Sequence, residues 1–178
     1  YAIEAEAASA AGLDAYDLMT AAAERVPAGS EGLVVLPHLE GAACPELNRY
    51  ARAVFFGATL RHTRAHFTRG ILEAVAYMLR KNLEMVEQVG GPMREIRSTG
   101  GGARSRLWLQ IKADVLQKPI TRVDVEEAAC LGAAMLGAVA TGYYPSLDEA
   151  SAAMVRVREH LEPNPANAGI YQAGYSAY

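Results

Sequence analysis

The chain has 178 residues, of which 51% are apolar and 21% charged, a balance that suits a globular domain with its own core and excludes a disordered or fibrous polypeptide. Its 17 Lys and Arg against 20 Asp and Glu give a formal net charge of −3, the opposite of the basic footprint that nucleic-acid binding requires. No apolar run reaches the length of a membrane span and no segment reads as a signal peptide, so no membrane partner is expected and the cytoplasm is the expected location. Cys44 and Cys130 lie far apart and form no C-x-x-C; two reduced small hydrophobes is a simpler reading than a disulfide, a zinc knuckle or a redox pair. The chain opens on Tyr1-Ala2-Ile3 without an initiator methionine and stops at Tyr178 without a polar tail, so both ends are expected to be cuts in a longer protein.

Residues 14–25 carry Tyr16, Met19, Ala22 and Ala23 at helical spacing, and Pro27-Ala28-Gly29 stops them. Leu33-Val34-Val35-Leu36 reads as a short buried strand, residues 41–48 as an irregular loop, and residues 52–57 as a second short strand ending on a glycine. The longest element follows. Phe67, Ile71, Ala74, Val75, Met78, Leu79, Leu83 and Val86 form one apolar stripe over residues 62–89, and Gly90-Gly91-Pro92 ends it. Next come a strand over 95–99, a glycine turn, a helix over 103–116, a strand over 119–123 and an alanine-rich helix over 127–140. A further helix is expected over 147–157, opened by Ser146 with Glu149 three residues on, the pattern of a capping box. Beyond Pro163 no pattern is legible. Strands alternating with helices predict an α/β layered domain.

Candidate chemistry concentrates at Gly100-Gly101-Gly102-Ala103. Glycine has no Cβ and tolerates positive φ, so a flat ring or a phosphate can approach its backbone closely. A helix beginning at once would aim free N–H groups at an anion, with Ser105 adding a hydroxyl and Arg106 a charge. On these residues alone a plain tight turn is an equal reading. No P-loop string G-x-x-x-x-G-K-[ST] occurs. A dinucleotide fingerprint is nearly met by Gly100 and Gly102, with Ser105 in place of the third glycine and Asp124 about where a ribose-binding acid would sit; a Rossmann-like dinucleotide-binding module is therefore the alternative.

Longer strings are more specific. Ser98-Thr99-Gly100-Gly101-Gly102-Ala103-Arg104-Ser105-Arg106-Leu107-Trp108, running on through Ala113-Asp114-Val115-Leu116, closely resembles the adenosine segment of the FGGY carbohydrate kinases. Glu126-Glu127-Ala128-Ala129-Cys130-Leu131-Gly132-Ala133-Ala134 is similar to the family's glutamate-then-Leu-Gly-Ala-Ala helix. Upstream, Gly32-Leu33 through Gly41, Ala51-Arg52-Ala53, Gly57-Ala58-Thr59 and Arg69-Gly70-Ile71-Leu72-Glu73 follow the family in order, so that residues 14–160 are covered. The match is nearest to xylulose-kinase-like members. The resemblance implies an actin-like ATPase fold, a ribonuclease H-like domain with a mixed sheet flanked by helices. It implies that residues 1–178 are the C-terminal ATP-binding domain of a kinase that moves the γ-phosphate of ATP, with Mg2+, to a hydroxyl of a small sugar or polyol. The partners implied are ATP, the sugar and the chain's own N-terminal domain, with a homodimer as a further expectation. Carried over by position, Gly101, Gly102 and Ala103 would lie against the adenosine and α-phosphate. Ser105 or Arg106 would edge the adenine pocket, and Gly57 and Thr59 would line the phosphate side. Glu73 and Glu126 match family positions but read as structural.

The residues that would do the chemistry are not in this chain. The family's base is an aspartate in a Gly-Asp-Gln-type string and its first phosphate loop is Asp-x-Gly-[ST]; neither string occurs. No catalytic residue is assigned, the sugar-binding domain is expected to be absent, and the chain alone is expected not to turn over. The loop Gly41-Ala42-Ala43-Cys44-Pro45 also departs from the family's Gly-Glu-Arg before a proline. Other residues take plainer readings. His62 and His66 lack a third metal ligand and suit the start of the long helix. Glu126-Glu127 favour a helix N-terminus. Trp108 sits at core spacing with Leu107 and Ile111, and Arg61, Arg64 and Arg69 read as a solvated face.

Overall fold

The structure, a computed structural model, describes residues 2–125 and 127–178. Its axis is α3 (Arg64–Gly90), formed where the apolar stripe predicts it. His66 Nδ1 accepts the N–H of Thr63 at 3.2 Å and fastens the first turn, which bears out the helix-start reading for His66; His62 instead accepts the N–H of Thr59 in the turn before the helix. Before α3 come α1 (Ala2–Ala11) and α2 (Ala15–Glu24), then β1 (Val34–Leu36) and β2 (Val54–Phe56) as an antiparallel pair with Val35 opposite Phe55. After it, β3 (Ile96–Ser98) and β4 (Ile120–Val123) run parallel with Ile96 opposite Ile120. Parallel neighbours need a crossover, and α4 (Arg106–Leu116) supplies it. The chain continues through α5 (Ala128–Ala140), α6 (Leu147–Met154), β5 (Val157–Leu161) and α7 (Ala168–Ala177). Strand β5 joins β4 antiparallel, so the second sheet, ordered β3-β4-β5, is mixed.

The core is built on both sides of α4. Leu109, Ala113 and Leu116 pack with Ala103, Ile120 and Leu161 toward the sheet. Ile111 and Val115 face Ala76 and Tyr77 of α3 and Tyr171 of α7. A smaller cluster joins Leu33 and Val35 to Ala74 of α3. Among the described residues no helix is long and apolar enough to cross a membrane. Cys44 and Cys130 are free and exposed.

Several elements differ from expectation, the unforeseen α1 and β5 among them. The helix after the glycine turn does not begin at once: residues 101–103 form a 3-10 turn, and α4 starts only after Ser105. The helix from 147 stops at Met154, because Val157 onward is drawn into pairing with β4. Helix α7 forms beyond Pro163, where Asn164 caps a short turn by accepting the N–H of Ala166 at 3.1 Å.

One segment is strained. Gly29, Ser30, Glu31 and Gly32 all have positive φ, at 79°, 48°, 52° and 90°. For the two non-glycine residues this left-handed geometry costs about 1–2 kcal/mol each. Gly57 packs directly on this turn. At φ 79°, any Cβ there would stand 2.6 Å from the carbonyl oxygen of Gly32, so no side chain fits.

Candidate functional site

A cleft of about 580 Å³ opens between α2, α3 and the glycine turn. Helix α2 and its cap contribute Asp14, Tyr16, Asp17 and Thr20; α3 contributes Ile71, Leu72 and Val75; the turn and the start of α4 contribute Gly101, Gly102, Arg104, Ser105 and Trp108. One wall is thus apolar and the facing rim carries hydroxyls and carboxylates. The N–H groups of Gly101 and Gly102 have no backbone acceptor among the described residues. A Cβ built on Gly101 would meet no atom within 4 Å, so the backbone of this cleft-lining residue is open. A flat heterocycle with polar edges suits these surfaces: apolar contact on its faces, hydroxyl and amide partners at its rim.

Trp108 is the main correction to its sequence reading. Its indole is half-buried and borders the cleft, and its Nε1–H donates to the Leu72 carbonyl at 3.1 Å, tying α4 to α3. The ammonium of Lys112 stands 4.1 Å from the ring centroid and donates to the Gly102 carbonyl at 3.3 Å. Burial pulls the Lys112 pKa below its ordinary value. This ammonium anchors the second peptide of the turn from behind.

The other predicted residues fall in different places. Ser105 lines the cleft, but its Oγ accepts the Trp108 N–H at 3.2 Å as the cap of α4, so the hydroxyl satisfies the helix terminus and has its own proton left for a ligand. Ala103 is buried in the core beneath the turn. Arg106 points away: its guanidinium pairs with Glu159 of β5 at 2.7 Å, 74% exposed, and that partner raises its pKa. Gly57 and Thr59 do not line this cleft; Thr59 donates its N–H to His62 Nδ1 at 2.8 Å, and Gly57 sits against residue 32. Glu126 lies outside the described residues. The cleft residues of α2 escape sequence reasoning, because acids and a hydroxyl three residues apart look like any solvated helix face. Among the described residues, no group of three His, Cys, Asp or Glu could hold a metal ion.

Arg69, read as part of a solvated face, is instead 6% exposed, and Glu73 is 2% exposed. Arg69 Nε donates to Glu73 Oε1 at 2.9 Å. The carboxylate also accepts the Gly29 N–H at 3.0 Å and the Ser30 hydroxyl at 2.8 Å. Burial raises the Glu73 pKa against the pull of these partners. Burial lowers that of Arg69, but Tyr171 and Glu73 raise it overall.

A turn between parallel strands would serve ATP or a dinucleotide alike. Asp124, the acid a ribose would need, pairs with Arg158 at 3.3 Å. Comparison with known proteins decides the matter. The model of the C-terminal domain of the FGGY family of carbohydrate kinases matches residues 2–141. A xylulose kinase of Staphylococcus epidermidis is 36% identical over 150 residues, covering 84% of this chain and 30% of that protein. A gluconokinase of Bacillus subtilis is 40% identical over 149 residues, 83% of this chain and 29% of the relative. The crystal structure of xylulose kinase from Rhodospirillum rubrum superposes with a TM-score of 0.79 at 36% identity, over 92% of this chain and 32% of that one. The chain therefore spans about a third of the length of such relatives. The mixed sheet with its flanking helices is accordingly part of an actin-like ATPase fold, and the dinucleotide reading is not favoured. The chain belongs to the FGGY family of carbohydrate kinases and corresponds to their C-terminal domain.

Proposed function

We propose that the cleft binds the adenosine of ATP, and that the chain is the ATP-binding part of a kinase phosphorylating a hydroxyl of a small sugar or polyol of the xylulose type. The observation that carries this reading is the open backbone at Gly101, which lines a cleft that also has an apolar wall. Gly102 and Ser105 continue that surface, while Ala103 supports it from the core. Arg106, expected at the adenine edge, and Gly57 and Thr59, expected on the phosphate side, lie off the cleft and would reach the nucleotide only in a larger assembly. Mg2+ would accompany the phosphates and neutralise their charge; its ligands are assigned to no residue of this chain. The names of the relatives favour a sugar acceptor, xylulose in one and gluconate in another. The base and the sugar contacts belong to the remaining two thirds of such a protein, so the chain alone binds without turning over. The uncovered apolar face of α5 suits packing against that missing part, and the cytoplasm is where such a kinase would meet ATP.

Trp108 is the sole tryptophan and borders the cleft, which makes its emission the direct probe. Titration with ATP and Mg2+ is expected to give a saturable change in emission that ADP reproduces and NAD does not. A response to NAD alone would contradict the reading, and so would sugar-dependent ATP hydrolysis by this chain contradict its dependence on the missing part.

A further inference from the structure

We infer that Arg69 and Glu73 are positioning residues for the nucleotide cleft: they set the distance between its two helical walls without touching the ligand. The inference rests on the reading of the cleft as a nucleotide site. Arg69 Nη1 donates to the Val26 carbonyl at 2.7 Å and the Ala23 carbonyl at 3.4 Å, which lie at and just past the end of α2. Its Nη2 donates to the Tyr171 hydroxyl of α7 at 2.9 Å, and its Nε to Glu73. One guanidinium thus ties α2, which carries Tyr16, Asp17 and Thr20 of one wall, to α3, which carries Ile71, Leu72 and Val75 of the other. Ile71 and Leu72 stand between the two paired residues in the sequence. The carboxylate of Glu73 holds the other end of the connection. By accepting from Gly29 and Ser30 it pins the left-handed turn against which Gly57 packs.

Although the Gly29 N–H and the Ser30 hydroxyl would lose their acceptor, apolar side chains in these places would still bring the helices into contact. They would not fix the spacing, because dispersion is non-directional while a planar guanidinium with five donors is not. The pair should therefore show itself in affinity as well as in stability.

The test titrates ATP with Mg2+ into the 178-residue chain and two variants, Arg69→Met/Glu73→Leu and Glu73→Gln, following Trp108 emission beside a thermal melt. The double variant is expected to bind about tenfold more weakly, as for a misplacement of cleft walls, with Glu73→Gln between it and the parent. It should also melt lower, because the Gly29 N–H and the Ser30 and Tyr171 hydroxyls lose their partners, so affinity is compared at a temperature where all three are folded. A folded double variant that binds as the parent does overturns the inference and leaves the cleft reading intact. If the double variant does not fold, unchanged affinity in Glu73→Gln overturns it instead. Absence of ATP binding by the parent itself overturns the cleft reading and this inference together.

Discussion

Helices α4 and α5 are both rich in apolar residues, yet α4 buries six of its 11 residues and α5 none of its 13. Helix α4 is the crossover between two paired strands and lies against α3 and α7, so each apolar face has something to meet. Helix α5 carries no charged residue, and Leu136 is 60% exposed. An all-round apolar helix belongs in an interior. The contrast shows that apolar content proposes a core and topology grants it: the covered half of the molecule is where the cleft can be rigid, and the uncovered half is where a further layer fits.

Substitutions can break or sharpen this contrast. The largest effect is expected from Arg69→Ala, on the covered side. It strands a buried carboxylate and should cost about 3–5 kcal/mol in urea unfolding at neutral pH. That loss should shrink in acid. Burial raises the Glu73 pKa above its ordinary 4.5, so the favourable contribution of its protonated form is complete below 4.5 and is lost as pH rises through the raised value. Melting temperature against pH, compared between the parent and Glu73→Gln, checks the sign: the parent should lose stability over that window relative to the variant.

Leu109→Ala comes next. The side chain is 0% exposed between the turn and the sheet, and its loss should cost about 2–5 kcal/mol. Ser105→Ala removes the α4 cap and should cost about 1 kcal/mol. Leu136→Ala, the matching leucine deletion on α5, should fall within about 0.5 kcal/mol in this chain. In the longer protein it should approach the Leu109 value. A cost at Leu136 equal in both contexts would break the comparison, since α5 would then be no interface at all.

What was legible in the sequence follows the same divide between local and tertiary causes. The bounds of α3 could be read to within two residues because a continuous stripe and a Gly-Gly-Pro stop are local signals. The glycine turn was legible as a string, and with it one side of the cleft. The facing side was not: Asp14, Asp17 and Thr20 acquire meaning only when α2 packs across from Trp108. Strand β5 was hidden because Arg158-Glu159-His160 breaks any apolar alternation, and its pairing to β4 is a non-local choice. Helix α7 was masked by Pro163 and Pro165, which here precede the helix and do not interrupt it. Arg69 looked solvated because arginine spacing says nothing about the carbonyls of Ala23 and Val26, more than 40 residues away.

The central claim, that the bare backbone of the glycine turn is the nucleotide contact, is tested most directly by Gly101→Val. A Cβ at Gly101 meets nothing in the protein, so the variant should melt as the parent does, while it adds an isopropyl group to a residue that lines the cleft. The expected result of calorimetric titration with ATP and Mg2+ is saturable binding by the parent and none by the variant. Equal binding by both, with both folded, would contradict the account.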